Sequence, residues 1–205
     1  DAKGKYVVHS LPAGPYSVAF GTCGFFGSQG YVGQYYNDED SIGTADSVSV
    51  ATGARTTGIN ATLSRGGTVT GTVTDSSGNP LEGICVEGNP NSANATFSAF
   101  TQTDSQGNYT LTGMAAGSDN VGFYDCGGSD YLYQGYSGNP FTVTAGQTVS
   151  GVNAVMTKGG SISGSLTLST GGPATANCVE AFSSASDVVA STFPNSSGAY
   201  TLHAL

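Results

Sequence analysis

DSQGNYTLTGM, residues 104–114, decides the fold, because its pattern stands in the chain three times. Residues 1–11 read DAKGKYVVHSL and residues 195–205 read NSSGAYTLHAL. In each copy an Asp or Asn leads, a Gly follows three residues on, and a Tyr and an aliphatic residue come next at alternate positions. Asp and Asn bond their own backbone and Gly accepts positive φ, so the first four residues predict a turn. The alternation after it predicts a strand with one buried face. The copies lie 103 and 91 residues apart, so the chain holds two whole repeats and an 11-residue overlap. Repetition of this kind means tandem modules, each built to bury its own core.

Residues 65–158 form the complete repeat. Residues 67–74 (GTVTGTVT) alternate, with Val69 and Val73 on one face and threonines on the other, which predicts a half-buried strand. A turn at 75–80 (DSSGNP) leads to predicted strands at 84–87, 97–103, 108–112, 120–126 and 141–144, and residues 147–156 close the module. About seven strands in this length is the count of a β-sandwich. Residues 1–64 match the C-terminal half of this unit: Val18 and Phe20 stand for Val121 and Phe123, and residues 58–61 (GINA) for 151–154 (GVNA). Residues 159–205 match its N-terminal half, with GGSISG for GGTVTG and Cys178-Val179-Glu180 for Cys85-Val86-Glu87. The expected fold is all-β, as tandem seven-stranded sandwiches. The two end pieces are complementary halves, able in principle to complete one another. The first residue falls inside a repeat, so the chain is expected to be a segment of a longer protein.

Composition narrows the function. Only 9% of residues are charged, yet the net charge is −9, and the five basic residues (Lys3, Lys5, Arg55, Arg65, Lys158) form no cluster. A phosphate-binding surface needs clustered Lys and Arg, so nucleic acid is a poor partner. No apolar run reaches the ~18 residues that span a bilayer as a helix, so no membrane insertion is expected in this segment. No motif calls for a cofactor.

These residues resemble the carboxypeptidase regulatory-like domain, related to the Cna-B type repeats of Gram-positive surface proteins. The marks are GGTVTGTVTDSSGNPLEGICVE at 66–87, the D-x-x-G-x-Y-x-L turn and strand, and PAGPYSV at 12–18. The resemblance implies a transthyretin-like sandwich in secreted or surface-anchored proteins, used as a stalk, spacer or adhesin module. Some Cna-B relatives lock the sandwich with a Lys–Asn or Lys–Asp isopeptide bond. That chemistry wants a Lys in the first strand, and residues 67–74 have none.

Four cysteines allow three connectivities. Cys85 and Cys126 share the complete repeat and are the expected bridge. Cys23 and Cys178 belong to different end pieces and become partners only if those pieces fold together. No C-x₂-C spacing suggests zinc. His9 and His203 hold the same repeat position, as do Glu87 and Glu180, so each pair reads as a repeated structural residue. A dyad or triad needs different positions converging, and no catalytic constellation is found. The acidic loop Asp38, Glu39, Asp40, with Asp46 nearby, is a weak calcium candidate; a solvated loop is the plainer reading. Tyrosines gather after the second cysteine of each copy (Tyr31, Tyr35, Tyr36; Tyr131, Tyr133, Tyr136), as sandwich packing, an interface or a sugar-stacking platform. Sequons stand at Asn60, Asn94, Asn108 and Asn195. The expected function is a non-enzymatic structural repeat whose partners are neighbouring repeats or copies of itself, with head-to-tail assembly as its sharper form. An adhesin or carbohydrate-binding module, and an accessory domain of a secreted enzyme, are the alternatives.

Overall fold

The computed structural model describes residues 3–22, 30–91, 97–128, 130–185 and 187–205. Every regular element among them is a strand. The first piece carries β1 (Gly14–Tyr16), β2 (Ala19–Phe20), β3 (Gln34–Tyr35) and β4 (Val48–Val50), paired β1 with β4 and β2 with β3. The central module carries β5 (Gly67–Asp75), β6 (Ile84–Pro90), β7 (Ala99–Gln102), β8 (Asn108–Met114), β9 (Gly117–Asp125), β10 (Gln134–Gly135), β11 (Phe141–Val143), β12 (Thr148–Ser150) and β13 (Ala154–Met156). The last piece carries β14 (Ile162–Ser165), β15 (Val179–Phe182), β16 (Val188–Thr192) and β17 (Ala199–Leu202), paired β14 with β17 and β15 with β16.

The central module is a two-layer sandwich. One sheet runs β7-β6-β9, with β10 and β11 as two segments along the far edge of β9. The other runs β8-β5, with β12 and β13 as two parallel segments along the far edge of β5. Counting each split edge once gives the seven strands that the sequence predicts. Between β12 and β13 the ladder is kept intact by a side chain: Asn153 Oδ1 accepts the Thr72 N–H at 2.9 Å. An edge strand can leave and rejoin a sheet only if the central strand's donors stay satisfied, and Asn153 does this.

Val69 and Val73 are fully buried on one face of β5 and meet Ile84 and Val86 of β6, Tyr109 and Leu111 of β8, and Val121 and Phe123 of β9 in one continuous core. Aliphatic and aromatic side chains of this size each gain about 1.5–3 kcal/mol on full burial. The Tyr and Leu of the repeated D-x-x-G-x-Y-x-L stretch are thus core residues. The Tyr109 hydroxyl also donates to the Val152 carbonyl at 2.6 Å, tying β8 to the β12–β13 connection across β5. Its ring stands edge-on to Phe123, with centroids 5.8 Å apart.

The turn before it is built as the sequence requires. Asp104 Oδ1 accepts the N–H groups of Gln106 and Asn108, both at 2.9 Å, and Gly107 holds φ +72°. The later copy repeats the geometry, with Asn195 Oδ1 accepting from Ser197 and Ala199 and Gly198 at φ +82°. A Cβ at Gly107 would lie 2.5 Å from the Val73 carbonyl oxygen. Gly107→Ala is expected to cost roughly 1–3 kcal/mol through its left-handed backbone and this collision. Thermal melts should show that loss, while Ser105→Ala, on the exposed rim of the same turn, stays close to the parent.

Candidate functional site

Cys85 on β6 and Cys126, one residue beyond β9, are joined by a disulfide with Cα atoms 5.7 Å apart. The two strands are direct neighbours, with Ile84 opposite Asp125, so the bond staples the end of one sheet rather than crossing between sheets. The Gln102 amide on β7 donates to Cys126 Sγ at 3.0 Å and brings the third strand to the same corner. Cys178 carries a free, exposed thiol. Cys23, its expected partner, lies outside the described residues, as does Asn94.

The tyrosine groups split by burial and make no continuous platform. Tyr35 and Tyr131 are buried, Tyr36 and Tyr136 are half-buried, and only Tyr31 and Tyr133 are exposed. Tyr35 packs on Phe97 of the central module at 5.2 Å, Tyr136 stands edge-on to Phe141 at 5.8 Å, and Lys158 Nζ sits 5.4 Å over the Tyr131 ring. The tyrosines therefore serve mainly to close the sandwich end and to join neighbouring pieces.

The acidic loop is a tight turn. Asn37 and Asp38 both take positive φ (65° and 60°), and the Tyr35 N–H donates to the Glu39 carbonyl at 2.7 Å. The Asp38 carboxylate accepts from the Gln34 amide and Asp46 from the Asn37 amide, each at 2.6 Å. Among the described residues no three acidic, His or Cys side chains converge. Two of the four carboxylates, Asp38 and Asp46, thus act as hydrogen-bond acceptors that shape the loop. The sequon residues Asn60, Asn108 and Asn195 are all exposed, and the Asn195 side chain is engaged in its turn. His9 is exposed in the first piece, whereas His203 pairs through Nδ1 with Asp130 of the central module. Glu87 lies in β6 and Glu180 in β15, in separate sheets.

One side chain escaped the sequence reading. Asp119 alternates with Val121 and Phe123 on the inward face of β9, is almost fully buried, and has no hydrogen-bond partner for either carboxylate oxygen. Residues 66–157 contain no Lys, Arg or His, so the cations of its module stand only at the two ends, Arg65 and Lys158. Burial raises its pKa from 3.8 to about 6. The signal was available: Asp119 stands where the first copy has Tyr16, at a position whose i+2 and i+4 neighbours are core residues.

The end pieces show what a half-sandwich leaves uncovered. In the first, the Tyr6 hydroxyl donates to the Ile59 carbonyl at 2.6 Å and its ring stands 5.8 Å from Phe20. These are the counterparts of the Tyr109–Val152 bond and the Tyr109–Phe123 contact. The scaffold is kept, but the equivalents of β5, β6 and β7 are missing from it. Accordingly Tyr6, Val8 and Leu11 are 48%, 62% and 41% exposed, where Tyr109, Leu111 and Met114 are 4%, 0% and 2%. In the last piece β14 to β17 stand for β5 to β8, and Ile162 is 51% exposed where Val69 is 0%. Among the described residues no strand ladder joins the first piece to the last. An isolated two-stranded pairing is marginal in water, so both pieces need cover.

Two packed sheets, seven effective strands and a sheet-end disulfide define the central module as a transthyretin-like β-sandwich. Residues 68–157, the central module, match the family model of the carboxypeptidase regulatory-like domain. Solved structures with a likeness to the chain include a type II cohesin–X-dockerin complex from Acetivibrio cellulolyticus. It shows 24% identity over 46% of this chain and 59% of that one, with a TM-score of 0.32. The Bacillus anthracis TIE protein shows 17% identity over 94% and 35%, with a TM-score of 0.36. A streptococcal ancillary pilin shows 15% identity over 84% and 62%, with a TM-score of 0.33. The chain therefore spans less than two thirds of the length of each of these. No curated protein matches it.

Two measurements probe these features. Non-reducing peptide mapping should recover a Cys85–Cys126 peptide pair. The loop of 41 residues makes the bond worth roughly 4 kcal/mol in the chain-entropy model, so the double Cys→Ala variant should melt well below the parent. The second concerns pH. Because the folded Asp119 carboxyl binds its proton more tightly than the unfolded one, its contribution favours the fold below about pH 4. That contribution declines as pH rises through about 6. Asp119→Asn should raise stability at pH 7.5 by an amount on the order of 2 kcal/mol, and the gain should shrink toward pH 4.

Proposed function

We propose that this chain is a non-enzymatic structural segment of an extracellular or cell-surface protein, a stalk, spacer or filament unit made of sandwich modules in series. The observation that supports the reading is repetition: a complete sandwich module is flanked by pieces with the same turn-and-strand pattern, in which equivalents such as Val8 and Ile162 are more exposed than Leu111 and Val69. Modules repeated in this way along one chain suit serial assembly. The Cys85–Cys126 disulfide agrees with an oxidising compartment.

In its sharper form the proposal has the last piece of one copy complete the first piece of the next. β14, β15 and β16 are the strand types that the first piece lacks. The overlap leaves one β8-type strand surplus in the composite, either residues 3–11 or β17, and one of them yields. Copies joined this way make a heterologous contact that need not close, so a filament can grow.

Light scattering coupled to size exclusion tests this on residues 1–205 under non-reducing conditions. A concentration-dependent ladder of oligomers is expected, and Ile162→Asp or Val8→Asp should shift it toward monomer. A strict monomer at every concentration, with its end pieces linked internally through Cys23 and Cys178, would overturn the filament form.

A further inference from the structure

The two boundaries between pieces are built alike, residue for residue. At the first, the Val32 N–H donates to the Ser64 carbonyl and the Gly66 N–H to the Gly30 carbonyl, both at 2.9 Å, around an antiparallel bridge of Tyr31 with Arg65. At the second, the Leu132 N–H donates to the Thr157 carbonyl at 2.9 Å and the Gly159 N–H to the Asp130 carbonyl at 2.8 Å. An antiparallel bridge again stands between them, Tyr131 with Lys158. The loop after the second cysteine of one module thus pairs with the strand that leads directly into the next.

Gly66 and Gly159 are the pivots. A Cβ on Gly66 would lie 2.6 Å from the Gly113 backbone, and one on Gly159 would lie 2.8 Å from the Ala204 backbone. Gly113 and Ala204 hold the same repeat position, and both are left-handed, at φ +81° and +56°; Ser10, the third copy, is too, at +63°. At Gly113 this is the bulge where the β5–β8 register shifts. Ala and Ser accept such a backbone only at a cost, so the surroundings impose it. Each pivot therefore presents its N–H to the module before it and its bare Cα to the bulge of the module after it, with no residue left over to act as a flexible linker.

We propose that this motif is a rigid module coupler: a bridge, a pivot glycine and a left-handed bulge that fix each module on its predecessor. Its partner surface is the bulge end of the next module's β8-type strand. The specificity determinants are the two pivots, which must lack a side chain. Side-chain contacts across the boundaries differ. The first adds Phe97 packed on Tyr35, and the second adds the His203–Asp130 pair. Neither contact is present at both boundaries, and the His203–Asp130 pair is solvent-exposed, so the common geometry falls to the shared backbone motif.

The proposal rests on the reading of the chain as modules in series, but its test is made within one chain and does not depend on filament growth or location. Spin labels are placed on Ser161→Cys, two residues past the pivot, and on Ala145→Cys, beside the start of β5, in a Cys23→Ser and Cys178→Ser background, and the distance distribution between them is measured by pulsed dipolar spectroscopy in dilute solution. One narrow distribution is expected. Asp130→Asn should leave it narrow, and Gly159→Val should broaden it. A Gly-Gly-Ser insertion after Lys158, which disturbs the interior of neither module, should broaden it likewise. A broad distribution in the parent, or an insertion that leaves it narrow, would overturn the proposal.

Discussion

A sheet that is apolar on one face must have a second sheet to cover it, and everything in this chain follows from whether that cover is present. In the central module it is. β5 and β8 bring Val69, Val73, Tyr109 and Leu111 against Val86, Val121 and Phe123, and the side chains at the centre are shut off from water. In the flanking pieces the same pattern is covered only in part: Leu202 is buried as Leu111 is, whereas Ile162 and Val8 stand open. Tyr6 keeps its bond to Ile59, as Tyr109 does to Val152, yet the residues around it stay open. The local structure is written into each copy, whereas burial depends on which strands lie alongside.

Burial also ranks the other contributions. The disulfide at Cys85–Cys126 secures a sheet end that hydrogen bonds already align, so it reinforces a geometry that packing sets. Asp119 works against the core that surrounds it. An unpaired carboxyl facing apolar neighbours is kept only because the rest of the module is strong enough to bear it. The exposed pair between His203 and Asp130 is a minor addition beside the backbone bonds of the pivot glycines.

Much of this was legible in the sequence, for identifiable reasons. Turn chemistry at Asp104–Gly107 and period-two alternation at Val69 and Val73 act over a few residues, and repetition showed which alternating positions mattered. What could not be read depends on contacts distant in sequence. The split of the closing strand into β12 and β13 turns on Asn153 reaching Thr72. The short β10 lies in a tyrosine-rich stretch with no clear alternation. At the acidic run composition shows charge and hides the left-handed turn at Asn37 and Asp38 that directs it. The pivot glycines belong to the repeated GGTVTG and GGSISG stretches, but their role needed both neighbouring modules in place.

The central claim is that the flanking pieces are half-sandwiches waiting for cover. Amide hydrogen exchange on residues 1–205, followed peptide by peptide across a range of protein concentrations, tests it most directly. In dilute solution β5, β6, β8 and β9 should exchange slowly while β1 to β4 and β14 to β17 exchange fast. As concentration rises, the flanking strands should slow toward the rates of the central ones. Flanking strands already as protected as the centre in the dilute monomer, or no change with concentration, would contradict the account.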